Sequence, residues 1–101
     1  RNIFILIQKE LTMKIKSGFE MREVCGEKIV LAQGIENLDF SKLISLNESA
    51  AYLWERIGDR PFDAALLAGY LQEEYEVSAD RAVADAEALI AEWRGQGLLE
   101  D

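Results

Sequence analysis

The stretch that most constrains the fold spans residues 42–54, where a short apolar run leads directly into the start of a helix. Asn47 is expected to cap this helix, because its side-chain oxygen can accept a hydrogen bond from a backbone N–H of the first turn. Glu48 places negative charge next to the positive end of the helix dipole. A strand that leads directly into a helix leaves a strand edge beside a helix face, and such an edge can accept another chain.

The residues before and within this junction predict three strands, over residues 19–25, 28–32 and 42–46. The second strand is nearly all apolar, which is typical of a buried strand. Gly26 and Glu27 are expected to form the hairpin turn before it, since glycine accepts the positive φ that tight hairpin turns require. Residues 33–41 are expected to form a polar loop, with Leu38 and Phe40 tucked under the sheet.

The residues after the junction predict three helices, over residues 48–57, 62–75 and 79–94. Gly58 is expected to end the first helix, and Ser78 is expected to cap the third. Trp54 and Trp93 lie on apolar stripes at helical spacing, which predicts core positions for both. Strands followed by helices in this order predict a small α+β domain that is winged helix-turn-helix-like, with a three-stranded antiparallel sheet followed by three helices.

The charge balance limits the classes of partner that the chain can bind. Its 101 residues suggest one domain, and 19 Asp+Glu residues against 11 Lys+Arg residues give a formal net charge of -8. Proteins that grip phosphate backbones present a basic face, so this balance argues against nucleic acid and favours a neutral or basic partner. No membrane partner is expected, because no apolar run approaches the ~18 residues of a membrane span.

The sequence offers little for catalysis. It contains no histidine, which removes the commonest general base, zinc ligand and nucleophile activator together. Cys25 is the only cysteine, and we interpret it as a small apolar filler near a strand end. A single cysteine cannot form an intrachain disulfide, which fits a reducing cytoplasm. We therefore expect a cytoplasmic protein that is not an enzyme and holds no metal and no cofactor.

Residues 1–12 look separate from residues 13–101, because Met13 opens a stretch that resembles a natural start. Within the separate segment, residues 3–7 (Ile-Phe-Ile-Leu-Ile) form a strong β-forming run. Burying such residues is worth roughly 1.5–3 kcal/mol per large side chain, so the run should not stay in water. We expect this N-terminal extension to add as a β-strand, either to its own domain or across a symmetric homodimer.

Four motifs together identify a likeness to a known family. They are Leu38-Asp39-Phe40 at the end of the loop, residues 44–54 (Ile-Ser-Leu-Asn-Glu-Ser-Ala-Ala-Tyr-Leu-Trp), Gly58, and Glu73-Glu74-Tyr75. With these motifs the chain resembles the PqqD family, named for the pyrroloquinoline quinone (PQQ) biosynthesis protein D. The resemblance covers roughly residues 13–100.

The resemblance implies a recognition element for a ribosomally made, later modified (RiPP) peptide. Such a domain binds the leader of the precursor peptide and presents it to a radical SAM enzyme or another peptide-modifying enzyme. The leader would add as a strand to the third strand, in a groove closed by the third helix. Carried onto this chain, the peptide-binding residues are Lys42, Leu43, Ile44 and Ser45 on the strand and Val83, Glu87, Ile90 and Arg94 on the helix.

Alternatives stay open at this point. The loop over residues 33–41 is longer than in the founding PQQ biosynthesis proteins, so a relative that serves another peptide pathway fits as well. A winged-helix DNA-binding regulator is a second function class, and a purely structural interaction domain is a third. A DNA-recognition helix needs basic residues, yet the third helix carries four acidic residues against two basic ones, namely Asp80, Asp85, Glu87 and Glu92 against Arg81 and Arg94.

Overall fold

The computed structural model describes residues 11–32 and 43–101, which contain five strands and three helices. In chain order these are β1 (Lys14–Ile15), β2 (Phe19–Val24), β3 (Glu27–Ala32), β4 (Ile44–Leu46), α1 (Glu48–Ile57), α2 (Ala64–Glu74), α3 (Ala79–Gly95) and β5 (Leu99–Glu100). A three-stranded antiparallel sheet with three helices confirms the predicted α+β fold. The predicted strand over residues 3–7, the loop over residues 33–41 and Lys42 lie outside the described residues.

The three-stranded sheet has the order β2-β3-β4, and its strands pair antiparallel. The hairpin turn between β2 and β3 lies one residue earlier than predicted, at Cys25 and Gly26, so that Val24 pairs with Glu27. Both turn residues have positive φ, 53° and 82°, as a two-residue turn of type I′ requires. Because Cys25 is exposed in this turn, its interpretation as an apolar filler is wrong.

A second, two-stranded sheet joins the two ends of the described chain. In this sheet Ile15 of β1 pairs with Leu99 of β5. The Lys16 N–H donates to the carbonyl of Leu98 at 2.8 Å, which extends the same connection. Sequence reasoning missed both strands, because two residues are too few to show the alternation by which strands are recognised.

The helix termini follow the predicted capping chemistry. The Asn47 side chain accepts from the Ala50 N–H at 2.8 Å, and Ser78 accepts from the Arg81 N–H at 3.2 Å, which confirms both caps. Gly58 ends α1 with a φ of 60°, as predicted. The second helix begins at Ala64 rather than at residue 62, and its cap is a residue that sequence reasoning missed, Asp63.

The core lies between the three helices and one face of the β2-β3-β4 sheet. Trp54 of α1 and Trp93 of α3 are both buried and meet edge to face, with ring centroids 5.4 Å apart and planes at 83°, which confirms their predicted core positions. Phe62, between α1 and α2, is 1% exposed, and its N–H donates to the carbonyl of Met13 at 2.8 Å. These contacts hold α3 against α1 and tie the start of the described chain to the helices.

None of the helices in the described ranges is long and apolar enough to cross a membrane.

Candidate functional site

The candidate site is the groove between β4 and α3, which we call the edge groove. On one side β4 pairs with β3, and within residues 11–32 and 43–101 no strand pairs with its other edge. A cavity of about 410 Å³ lies beside this edge. It is lined by strand residues, the first turn of α1 and one flank of α3: Glu27, Ile44, Ser45, Leu46, Asn47, Ala50, Leu89, Glu92, Trp93 and Gln96.

Local sequence positions the walls of the edge groove. Asn47 ends β4 and caps α1, so the strand edge stops where the helix starts. Trp93 is 1% exposed and is held in place by Trp54, which makes this part of the α3 wall rigid. Leu89, one turn earlier, is only half-buried and offers apolar surface to the groove. The groove therefore combines a strand edge that has no partner among the described residues with a helix flank of mixed polarity, and a strand edge beside a side-chain wall is the arrangement used in β-strand addition.

The charged side chains that line the edge groove are both acidic. Glu27 lies at the start of β3 and Glu92 lies on α3, and both are exposed. Among the residues that the structure describes, neither takes part in an ion pair. A groove with this charge favours a partner with basic side chains, chiefly through the rate of association.

The structure divides the predicted peptide-binding residues between two places. Ile44 and Ser45 line the edge groove, and Leu43 directly precedes them in the chain. Arg94 lies elsewhere: its guanidinium donates to Asp101 at 3.2 Å and to Met13 Sδ at 2.9 Å, close to β1 and β5. Residues three or four apart share a helix face, so the contacts of Arg94 show which side of α3 its stripe occupies. That stripe contains Val83, Glu87 and Ile90, and none of the four lines the edge groove.

The edge groove is lined by Leu89, Glu92 and Trp93 of α3 and by its C-cap residue, Gln96. Trp93 was predicted to lie in the core, and Leu89, Glu92 and Gln96 were not among the predicted peptide-binding residues. A buried helical stripe has two flanks, and periodicity alone does not tell which flank faces the sheet. Contact of a peptide with any of these residues, or with the predicted stripe, stays a prediction.

A second, larger cavity continues from the edge groove along α3, and we call it the helical cavity. Its volume is about 710 Å³, and it shares Asn47, Leu89 and Glu92 with the edge groove. The other lining residues come from all three helices and the segment between α2 and α3: Ser49, Leu53, Leu71, Tyr75, Val77, Arg81, Asp85 and Ala88. Desolvation raises the pKa of the Tyr75 hydroxyl, and the nearby carboxylates of Glu48 and Glu74 raise this pKa further.

A polar and aromatic cluster holds α1 against α2 behind these cavities. The Arg56 guanidinium lies 4.0 Å from the ring centroid of Tyr70 and donates to the Tyr52 hydroxyl at 2.6 Å. It also donates to Glu73 at 3.1 Å, and the Tyr52 hydroxyl donates to the carbonyl of Tyr70 at 3.2 Å. Stacking and hydrogen bonding by one arginine fix the orientation of α1, and with it the end of the edge groove.

The part of the chain that the structure describes contains no cluster of three or more residues arranged to hold a metal ion. The site itself offers backbone hydrogen bonds, some apolar surface and negative charge.

Comparison with models of known protein families shows the family to which this chain belongs. The family model described as Coenzyme PQQ synthesis protein D (PqqD) matches residues 27–99. The chain belongs to the PqqD family. This confirms the resemblance seen in the sequence, and the match includes β3, β4 and all three helices, so the whole edge groove lies inside it.

Among solved structures, this PqqD-family chain is similar to one described as "Lasso peptide synthetase B1 complexed with the leader peptide". The TM-score is 0.63 at 21% sequence identity, and the alignment covers 88% of this chain and 98% of that chain. At this identity the similarity shows a shared fold. Comparison with curated proteins finds no match.

Proposed function

We propose that this PqqD-family chain is a non-catalytic domain that binds the leader of a ribosomally made precursor peptide as a strand added to the free edge of β4. The observation that carries the proposal is the edge groove, in which a strand edge with no partner among the described residues lies beside a helix flank that offers Leu89, Glu92 and Gln96. Support comes from the family and from the fold shared with a synthetase described as complexed with its leader peptide.

The physical basis is strand addition. Backbone N–H and C=O groups on the edge of β4 supply hydrogen bonds that require no particular peptide sequence. Leu89 is half-buried and offers apolar surface beside the edge of β4, which favours an apolar residue of the leader at that point. Glu27 and Glu92 favour basic residues in the leader. Affinity therefore comes from the backbone, and specificity comes from the walls of the groove.

The finer parts of the proposal concern what happens to the bound leader. The domain presents it to a modifying enzyme, such as a radical SAM enzyme, which supplies the chemistry that this chain lacks. The peptide belongs to the PQQ pathway or to another modified-peptide pathway in the cytoplasm. The domain acts as a monomer or, through residues 1–12, as a homodimer.

Amide hydrogen exchange measured by NMR tests the proposal directly. The probes are synthetic peptides that span the first halves of the short open reading frames flanking the gene. We expect one of them to bind and to slow exchange at outward-pointing amides of β4 (Ile44–Leu46), while the opposite sheet edge, β2, stays unchanged. Binding by no peptide, or protection at β2 instead of β4, would refute strand addition at the edge groove.

A DNA-binding regulator is not favoured by any observation on α3. Both arginines of this helix are already paired within the protein, Arg81 with Asp85 at 3.1 Å and Arg94 with Asp101 at 3.2 Å. Proteins that bind DNA need free basic side chains to neutralise phosphates. Peptide binding is therefore the function that the site supports best.

A further inference from the structure

A third cavity lies at the end of the sheet where β4 leads into α1, and we call it the tyrosine cavity. Its volume is about 450 Å³, which is within the range of pockets that enclose small ligand groups. It joins the edge groove, because Glu27 and Leu46 line both. The lining residues come from the hairpin turn, the start of β3, the end of β4, α1 and the end of α2: Gly26, Glu27, Lys28, Leu46, Glu48, Ala51, Tyr52, Glu55, Glu74 and Tyr75.

Two tyrosine rings contribute to the wall of this cavity. Tyr52 of α1 and Tyr75, the C-cap of α2, meet edge to face, with ring centroids 5.9 Å apart and planes at 85°. Both residues are half-buried, so part of each side chain stays accessible. The Tyr52 hydroxyl accepts from Arg56 and donates to the carbonyl of Tyr70, which fixes the orientation of the Tyr52 ring. Aromatic rings held in this way offer π surface that attracts cations.

The charge of the tyrosine cavity is negative. Its lining holds one basic residue, Lys28, against four exposed glutamates: Glu27, Glu48, Glu55 and Glu74. Within residues 11–32 and 43–101 none of these four glutamates takes part in an ion pair. Desolvation raises the pKa of the Tyr75 hydroxyl, and the carboxylates of Glu48 and Glu74 raise this pKa further, so their field reaches the tyrosine wall.

The same two helices already hold one cation by this combination of groups. The guanidinium of Arg56 lies 4.0 Å from the ring centroid of Tyr70, donates to the Tyr52 hydroxyl and forms an ion pair with Glu73. Tyrosines and a glutamate of α1 and α2 together satisfy this side chain. The tyrosine cavity repeats the combination of aromatic rings and carboxylates, and no arginine of the described chain lines it.

We infer that the tyrosine cavity binds a lysine or arginine side chain of the leader, next to the end of the strand-paired segment that lies beside Leu46. The inference rests on the proposed function and adds to it a basic residue at a defined place in the leader. The occupant follows from the continuity of this cavity with the edge groove and from the pairing of π surface with carboxylates. The leader is thus recognised by its backbone on β4 and by one positive charge beyond it.

The test removes carboxylates from the cavity without changing the size of their side chains. The first double variant combines Glu55→Gln and Glu74→Gln, and the matched control combines Glu23→Gln and Glu76→Gln, two exposed positions that line neither the tyrosine cavity nor the edge groove. Both change the net charge equally, so long-range attraction of a basic peptide weakens alike. By titration calorimetry at low salt, we expect the first to weaken binding of the peptide found above at least ~5-fold and the control less than ~2-fold.

A second arm changes the peptide and leaves the protein intact. Glutamine replaces each lysine and arginine of the peptide in turn. One replacement, next to the protected segment, should weaken binding to the native protein at least ~5-fold. The same replacement should weaken binding to the first double variant little further, because the two changes remove the same interaction.

The outcomes separate this inference from the proposed function. Equal affinities of the two double variants, with β4 still protected, would overturn the basic-residue site and leave strand addition standing. A bound peptide with no lysine or arginine beside its protected segment would do the same. Loss of protection at β4 in the native complex would overturn both proposals. If the first double variant binds the peptide normally but loses affinity for the modifying enzyme encoded beside the gene, the cavity is a docking site for that enzyme and the inference is wrong.

Discussion

The two flanks of α3 carry similar residues but meet different surroundings. On the flank toward β4 lie Leu89 and Glu92, beside a strand edge that no other strand of residues 11–32 and 43–101 pairs with. On the opposite flank lie Ile90 and Glu87, in line with Arg94, which contacts Met13 and Asp101. Each flank offers one half-buried aliphatic residue and one exposed glutamate. The comparison shows that two flanks of one helix with similar residues can meet different surfaces, so composition alone does not tell which flank lies beside the strand edge.

The strongest test of which flank of α3 binds the leader is a pair of neighbouring substitutions, Leu89→Asp and Ile90→Asp. Both place a charge at a half-buried position, which costs on the order of 2 kcal/mol wherever an apolar group has to dock. We expect Leu89→Asp to weaken leader binding at least ~10-fold, by calorimetry, and Ile90→Asp to leave it nearly unchanged.

The control for this pair is stability. Both variants are expected to lose part of their free energy of unfolding, because both residues pack against the core, and circular dichroism during urea unfolding checks that each remains folded. The opposite ranking, with binding lost only in Ile90→Asp, would move the leader to the predicted stripe of Val83, Glu87, Ile90 and Arg94.

A charge reversal on each flank of α3 tests the same difference, with a smaller expected effect on leader affinity. Glu92→Lys and Glu87→Lys change the net charge equally on one helix, so any long-range attraction of a basic leader changes by a similar amount. We expect Glu92→Lys to weaken a basic leader by a further ~3- to 10-fold at low salt, because only Glu92 lines the groove. Calorimetry at two salt concentrations measures both effects, and indistinguishable variants would show that the acidic surface acts only at long range.

The smallest expected effect concerns residues 1–12, which we propose add as a β-strand through residues 3–7. If this strand lies on β4, deleting the segment should raise leader affinity several-fold; if it joins two copies, deletion should halve the mass in solution. Light scattering and calorimetry on the shortened chain distinguish these results. An unchanged mass in solution together with an unchanged leader affinity would show that the segment affects neither the oligomeric state nor leader binding.

Much of the fold could be predicted because its signals are local. Asn47, Ser78 and Gly58 act on backbone groups within one helical turn, and each does so as predicted. The turn at Cys25 and Gly26 was predicted one residue late, because glycine suits either position of a two-residue turn. The start of α2 was predicted two residues early, because Asp63 was not recognised as the cap of that helix.

The candidate site could be predicted only in part, and β4 shows why. An apolar run that leads into a capped helix indicates a strand edge at Ile44 and Ser45, and both residues line the groove. The helix wall depends on the rotation of α3 about its axis. That rotation is set by distant contacts, including Trp93 on Trp54 and Arg94 on Met13 and Asp101, which no periodicity within α3 records.

By itself the sequence determined the element types, the helix caps, the acidic balance and the family, because each depends on neighbouring residues or on short motifs. Only the tertiary structure decided which flank of α3 faces β4, that β1 pairs with β5, and that the edge groove opens into a second cavity. These features join residues far apart in the chain. Their geometry is the outcome of packing all three helices on one sheet at once, and no local preference specifies it.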